Sequence, residues 1–407
     1  MSKLSFYAGA ALVATSAFQL FAATPEAFMN AAPIPGADVH YYSNYAKLRT
    51  SPIYKKIEDI TKKMRDPALD EDGSKIIRAF FEICEREGLS EDNVEVYILS
   101  AAVEKIATHI IKALKEDEEP KIIVDDFNIL FALAVKKPVT RDNSKRLVDG
   151  VIKLAPDDDF AEEFNKRVAM DDFEHAGVPG LKITFKLDED ELKEKPFDKL
   201  PVVAMAFPAG GRVVYYGLEK DVKAAIDRAN AGAKAEPSPA LKKLLDSPLA
   251  GTPLGQRDCY GAWAVPLVFR DAMKDLHEEH EESGSGMLPG MLPGLKAATV
   301  LQGVRGFAAY GEKLDGVINF VLDSAESATA LKEMLEINVL GLGKMGLYQF
   351  VGKNTEFAEK LAAVVEGEST SIQFSVGAAD IDLYFEQMEK MMDGPAFAPF
   401  FIDEDDE

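Results

Sequence analysis

Hydrophobic and polar positions divide this chain into one long apolar run and a body of short, punctuated segments. From Leu4 to Ala23 no aspartate, glutamate, lysine or arginine interrupts the run, and one positive charge, Lys3, precedes it. A basic residue ahead of an apolar stretch that closes on small residues (Ala22, Ala23) has the pattern of a secretory signal peptide. Residues 1–23 are therefore read as a cleaved export signal. A retained anchor is the rival, because the run approaches the length a tilted helix needs to cross a bilayer. Tyr7, Ser16 and Gln19 dilute it, however, and no basic stop-transfer cluster follows.

The body alternates strand-like and helix-like patterns. Residues 38–45 read as a strand, and Ser51-Pro52 then opens a helix, with serine as cap and proline in the first turn. Ile53, Ile57, Ile60 and Met64 form its apolar stripe. The same order recurs at 259–268, a strand holding Trp263, followed by a helix marked by Phe269, Met273 and Leu276. Further strands are expected at 94–99 and 127–135 in the first half, and at 298–310 and 316–322 in the second. Leu147, Val148, Val151 and Leu154 mark a helix face in the first half. In the second, Ser324 caps a helix carrying Leu331, Met334, Leu335 and Asn338. Each half ends with a strand flowing into a helix. The first is 212–217, followed by Val222, Ala225, Ile226 and Ala229; the second is 371–376, followed by Asp380 as cap and Ile381, Tyr384, Phe385 and Met388.

Hairpin-like turns at 209–211 and 312–316 favour antiparallel or mixed sheets over crossover units. The fold class is thus α+β, with two related lobes, each a sheet with helices on one face. The first lobe spans 31–230 and the second 258–394. A linker at 231–257 carries a short helix at 240–246, and an acidic tail occupies 395–407. The first half is longer, with surplus helices near 75–87 and 103–119 and an acidic stretch at 171–199. Strand–helix units are widespread, so a chance likeness of the halves stays open beside duplication.

Three segments carry a family resemblance: PIPGADVHYYSNYAKLRTSPIYKKIED (33–59), RVVYYGLEKDVKAAIDRANAG (212–232) and SPALKKLLDSP (238–248). In this order they resemble a group of secreted bacterial proteins of unknown function. Those begin with a Pro-led strand and a "kL..Sp.yk" helix and later show a "lv.g..e.vkaaid" unit. The resemblance implies an exported, duplicated α+β protein and carries over no site.

Composition narrows the picture. At 407 residues the chain exceeds one ordinary domain core, and its 47% apolar content supplies ample interior. With 69 acidic against 46 basic residues the net charge is −23, which repels nucleic acid and anionic lipid surfaces, so no nucleic-acid partner is expected. Beyond the signal no run is long and apolar enough to span a bilayer; the nearest, 129–135, has strand length. Two cysteines, Cys84 and Cys259, are too few for a disulfide framework. Paired in an oxidising compartment, they would close a long loop worth ~4–5 kcal/mol in the entropy model. Unpaired, they are two separately buried small hydrophobes.

Candidate chemistry mostly dissolves on inspection. His277 and His280 sit in LHEEHEE, but the zinc-hydrolase helix needs two residues between its first Glu and second His, and one stands here. A solvated acidic helix end accounts for them. The DEDG at 70–73 suggests a calcium loop, yet Ala68 and Ala79 occupy the first and last ligand positions. Carboxylate runs at 157–159, 188–191 and 403–407 read as loose cation attractors or solvated loops. GLGKMG (341–346) and Gly210-Gly211 read as turn chemistry, and no phosphate loop, dinucleotide fingerprint or serine elbow is present. The tandem MLPGMLPG places Met287, Leu288, Met291 and Leu292 in a segment whose prolines and glycines oppose helix and strand. Exposed, it would touch a partner or lipid headgroups; buried, it would lie over the gap between helix and sheet. No catalytic, cofactor or metal site is expected. The reading that remains is an exported, non-catalytic envelope or cell-surface protein with a binding or structural role, its partner an envelope protein or an apolar ligand. Its rivals are an exported hydrolase using paired carboxylates and a carrier holding an apolar ligand between helices and sheet.

Overall fold

The computed structural model describes residues 24–65, 72–116, 118–154, 158–187, 197–247, 258–283, 292–341, 344–345 and 356–392. The expected signal at 1–23, the expected tail at 395–407 and much of the expected linker lie outside these residues. The protein is α+β, its helices packed on antiparallel strands in two compact units. One unit comprises Met1–Tyr45 and Lys75–Lys242, the other Ala46–Ser74 and Lys243–Glu407. The segment 46–74, which the sequence places in the first lobe, thus packs within the second unit.

The first unit opens with α1 (Pro25–Ala31), capped by the Thr24 hydroxyl, which accepts the Ala27 amide at 3.2 Å. After β1 (Val39–Asn44), the chain runs through α2 (Tyr45–Thr50) and α3 (Pro52–Arg65), which from Ala46 on belong to the second unit. It returns with α4 (Asp72–Arg86), β2 (Val94–Ala102), α5 (Glu104–Lys115), β3 (Asn128–Val135), α6 (Arg141–Ile152) and α7 (Asp158–Arg167). Four strands follow, β4 (Val168–His175), β5 (Val178–Phe185), β6 (Val202–Ala206) and β7 (Val213–Leu218), then α8 (Glu219–Asn230). Within this unit the strands lie in the order β1-β2-β3-β7-β6-β5-β4, every neighbour antiparallel.

Alternation along β7 separates the two faces of this sheet. Tyr215 is fully buried beneath α1; its hydroxyl donates to the Phe28 carbonyl and its ring meets Phe28 edge to face at 6.2 Å. Ala132, Ala204 and Ala206, all buried on that face, leave room for α8, which buries Val222, Ala225, Ile226 and Ala229. Val214 points the other way, into a cluster with Val135, Val139 and Phe207 that Leu89, Leu133 and Met205 extend. Both faces are therefore covered, where the sequence predicts one. After Asn128 the residues of β3, ILFALAV, are apolar without alternation, as in a strand buried on both sides.

In the second unit the Ser51 hydroxyl caps α3, accepting the Tyr54 amide at 3.2 Å. After α9 (Pro239–Asp246) come β8 (Cys259–Ala264), α10 (Leu267–Ser283), α11 (Leu292–Thr299), β9 (Gly303–Tyr310), β10 (Lys313–Val321) and α12 (Ala325–Met334). A π-helical turn (Leu335–Gly341), α13 (Glu356–Lys360), β11 (Ala362–Glu366), β12 (Ser369–Gly377) and α14 (Ala378–Met392) complete it. The strand order is β8-β9-β10-β12-β11, again antiparallel. Two apolar clusters lie on one face. Leu322, Ala328, Leu331 and Leu335 pack on Phe320 and Ile372, while Ile53 of α3 and Ile381 of α14 pack on Leu314 and Val376. The opposite face buries a polar chain. Arg305 Nε donates to Asn319 Oδ1 at 2.8 Å, Asn319 donates to the Ser371 hydroxyl at 2.8 Å, and Arg305 Nη1 donates to the Leu244 and Ser247 carbonyls at 2.7 and 2.8 Å. The guanidinium thus donates to carbonyls at the end of α9, which a helix C-terminus otherwise leaves without donor partners.

Several elements depart from expectation. Residues 298–299 close α11 instead of opening a strand. The helix begins at Leu292 because Pro293 falls in its first turn, where no intrahelical amide bond is needed. The acidic stretch from 171 contains β4 and β5; charges on the edge strand β4 mask its alternation. Asp380 sits inside the first turn of α14, not ahead of it.

Replacing Arg305 by alanine strands the buried Asn319 and Leu244 acceptors and the half-buried Ser247 carbonyl, and is expected to cost the second unit on the order of 3 kcal/mol. Trp263, the chain's single tryptophan, lies in β8 and reports that unit's urea unfolding by fluorescence. An unshifted midpoint in the alanine variant would show that the chain of donors contributes nothing.

Candidate functional site

Three loops of the first unit converge on a cavity of about 440 Å³. The β3–α6 loop supplies Val139, Thr140, Arg141 and Asp142; the β4–β5 turn and the start of β5 supply Gly177, Val178 and Pro179; the β6–β7 turn supplies Phe207 to Gly211. Local sequence explains each loop. His175 pairs with Val178 across a two-residue turn in which Ala176 and Gly177 take positive φ (48° and 78°), the turn class that suits the twist of a hairpin. Ala209, Gly210 and Gly211 also take positive φ (52°, 65° and 83°), reversing the chain within one short turn. At Gly211 the requirement is absolute: a Cβ there would lie 2.1 Å from the Val139 carbonyl oxygen. Main-chain bonds then knit the loops. The Val139 amide donates to the Gly211 carbonyl at 2.9 Å and the Phe207 amide to the Pro179 carbonyl at 3.0 Å.

The cavity falls within the size range of small-molecule sites, roughly 300–1,000 Å³. Val139, Val178, Pro179, Phe207 and Pro208 give it apolar walls, and Thr140, Arg141 and Asp142 bring polar groups to one side. Those three begin α6. Thr140 and Asn143 form a reciprocal cap, the Thr140 amide donating to Asn143 Oδ1 at 3.0 Å and the Asn143 amide to Thr140 Oγ1 at 3.3 Å. The amides of Arg141 and Asp142 belong to the first turn, which has no intrahelical acceptor and carries the positive end of the helix dipole. Buried Glu87, beyond α4, anchors α6 from behind by accepting Arg86 and Arg146 Nε at 2.9 and 2.8 Å and Asn143 Nδ2 at 3.3 Å. Beside the cavity, Asp172 of β4 receives Lys145 at 2.6 Å and Arg141 at 3.1 Å. The Lys145 hydrogen bond, with the charge of Arg141, holds the Asp172 carboxyl below its usual range. Ala176 and Ala209, non-glycine residues in left-handed backbone, flank the cavity; such conformations gather at ligand sites.

The residues singled out from sequence fall elsewhere. Cys84 on α4 and Cys259 at the start of β8 form no disulfide; the first is buried and the second half-buried, and burial pushes the Cys84 thiol up. Met287, Leu288 and Met291 lie outside the described residues, and Leu292 opens α11, so this part of the tandem is helical. His277 lies on α10. Among the described residues no group of three His, Cys, Asp or Glu side chains is placed to hold a metal ion, and no helix is long and apolar enough to cross a membrane. The loop that sequence reads as plain turn chemistry, Gly210-Gly211, is a wall of the cavity. Its proline-led, double-glycine reversal was visible; its neighbours in space were not. Comparison with family models, curated proteins and solved structures finds no match.

Two titratable groups, one buried and one half-buried, stand apart from the cavity. Asp221, in the first turn of α8, accepts the Ile129 amide at 2.9 Å. Burial pushes its carboxyl up to about 6, against the pull of that amide, Lys220 and Arg228. Burial likewise lowers His40, in β1, to about 4. The folded protein holds the Asp221 proton more tightly than the unfolded chain does. This group's contribution is therefore fullest below pH 4 and is lost as pH rises through 6. His40 acts in the opposite sense, its contribution falling as pH drops from 6.5 towards 4. Asp221→Asn is expected to be more stable than the wild type at pH 8, by on the order of 2 kcal/mol, and to lose that advantage by pH 4. Urea unfolding at the two pH values checks it, and an advantage independent of pH contradicts the assignment.

Proposed function

We propose that this is an exported binding protein, acting in the envelope or at the cell surface, whose loop-built cavity in the first unit holds a small molecule with an apolar body and one hydrogen-bond acceptor. The cavity carries the reading. Its walls offer apolar surface, and the start of α6 offers amides and the Arg141 guanidinium to an acceptor. Strained turns that hold Ala176 and Ala209 at positive φ support a site under functional constraint. Binding is favoured over paired-acid hydrolysis because, of the residues that line the cavity, one is a carboxylate, Asp142. The alternative of an apolar carrier is favoured in a modified form, with the ligand at the loop end of the sheet.

Export rests on the basic-then-apolar pattern of residues 1–23, and the resemblance to secreted bacterial proteins points the same way. Kinship of the two units rests on their strand orders. With β8, β9, β10, β12 and β11 set against β1, β2, β3, β7 and β6, the orders coincide, and the β4–β5 hairpin extends the first. Two aspartates support the same alignment. Asp38 and Asp258 each precede the first strand, donate their amides to Ala101 and Ala308, and accept the amides of Val103 and Tyr310, two residues further on. The likeness is in the sheets, since helices cover both faces of one and chiefly one face of the other. An experimental structure whose five paired strands fail to superpose would end the duplication reading.

Medium-chain carboxylic acids and N-acyl amino acids are expected to raise the thermal unfolding midpoint. At a hundredfold excess over Kd the gain is about 2.7 kcal/mol. Pro179→Trp, which fills the cavity from its exposed rim, is expected to abolish the rise while leaving the unliganded midpoint unchanged. Failure of every such compound, or an undiminished response in the tryptophan variant, overturns the site.

Fractionation with mass measurement tests export. The secreted or periplasmic fraction is expected to hold a chain shortened by the leader, and a full-length chain confined to the cytoplasm refutes it.

A further inference from the structure

The β4–β5 hairpin, whose tip forms part of the cavity wall, is tied to its surroundings on both faces of the sheet by contacts of different kinds. On one face Asp172 receives Lys145 and Arg141 from α6, at 2.6 and 3.1 Å. On the other face, three residues along, His175 Nε2 lies 2.8 Å from Asp227 Oδ1 of α8. Lysine and arginine keep their charge between pH 5 and 8, whereas histidine is the side chain whose charge ordinarily changes there.

Resting on the reading of the cavity as a ligand site, we propose that His175 and Asp227 form a pH-sensitive latch on its wall. Protonated, His175 is drawn onto the α8 carboxylate and holds the hairpin tip in place. Neutral, it keeps at most a hydrogen bond without the ion-pair attraction, and the tip moves more freely. Geometry gives the latch its leverage. His175 is the last residue of β4, Ala176 and Gly177 follow at positive φ, and Gly177, Val178 and Pro179 line the cavity. Beyond the His175–Val178 pair, the Phe207 amide on the Pro179 carbonyl ties this tip to the β6–β7 turn.

The other charges on the packed elements leave the pair intact. Lys223 of α8 is engaged with Glu219 at 2.5 Å and stands over the Phe173 ring at 5.9 Å. Arg228, next to Asp227, donates to the carbonyls of Ala31 and Pro33. On β5 the neighbouring residues Val178, Pro179 and Gly180 carry no ionisable side chain, and Glu174 points to the face of Asp172. In α1, packed on α8, the one acid is Glu26. Asp227 is largely exposed, so the effect is that of a surface pair, about two- to fivefold in an opening equilibrium.

Hydrogen exchange of the Ala176, Gly177, Val178 and Gly180 amides, corrected for intrinsic pH dependence, tests the latch on the unliganded protein. Protection is expected to fall about two- to fivefold between pH 5.5 and pH 8. His175→Gln, which keeps a neutral donor, is expected to show the lower protection at both pH values, as is Asp227→Asn. Amides of β9, in the second unit, serve as control. Protection that does not change with pH, or that changes equally in His175→Gln, overturns the latch. The measurement needs no ligand, so a failed latch leaves the cavity reading standing. A failed ligand titration beside a pH-dependent, His175-dependent tip would instead remove the cavity reading alone.

Discussion

A buried backbone amide must find an acceptor, and in this protein buried aspartates supply it at the ends of strands and helices. Asp38, Asp221, Asp258 and Asp380 are each at most 8% exposed, and each accepts main-chain N–H groups. Asp38 joins the entry of β1 to the start of α5. Asp258 does the equivalent for β8 and the end of β9, with Lys47 at 2.7 Å as its counter-charge. Asp221 and Asp380 each stand third in the helix that leaves the returning strand, β7 or β12. An unpaired amide at any of these junctions would cost about 1–3 kcal/mol. The junctions fix where strands begin, and so where loops emerge.

The candidate site is a product of that topology. In the order β3-β7-β6-β5-β4, with every neighbour antiparallel, β3, β6 and β4 run in the same direction. Their C-terminal ends therefore meet at one end of the sheet, and the segments leaving them form the cavity. Glycine at 211 permits the closest approach, since the Val139 carbonyl occupies the space a side chain would take. No single loop makes the site. The α6 cap brings polarity, the β6–β7 turn brings Phe207 and Pro208, and the β4–β5 tip brings the wall that His175 and Asp227 secure.

Much of the architecture was legible because it follows from local patterns. Ser51 and Ser324 cap helices as their positions foretell, and the stripes of α8 and α3 face inward through Val222, Ile226 and Ile53. Strands β1, β2, β3, β7, β8 and β12 lie close to their expected spans. Strand β4 was missed because Asp171, Asp172 and Glu174 stand on an edge, where charge is tolerated and the alternation blurs. Leu292 was misread because proline was taken as a breaker, although the first turn of a helix admits it. Arg305 gave no signal at all. A single arginine in a strand says nothing of the two carbonyls and the asparagine, all distant in sequence, that it meets.

Sequence alone determined the α+β class, most element positions, the acidic net charge and the apolar run at 4–23, because these depend on propensity, periodicity and composition within a few residues. Tertiary structure decided which of the many carboxylates lie buried under amides, which side chains face the polar interior, and that Val139, Gly177 and Gly211 share one cavity. Those outcomes depend on strand order and register, which bring together residues tens of positions apart, and no local pattern encodes that distance.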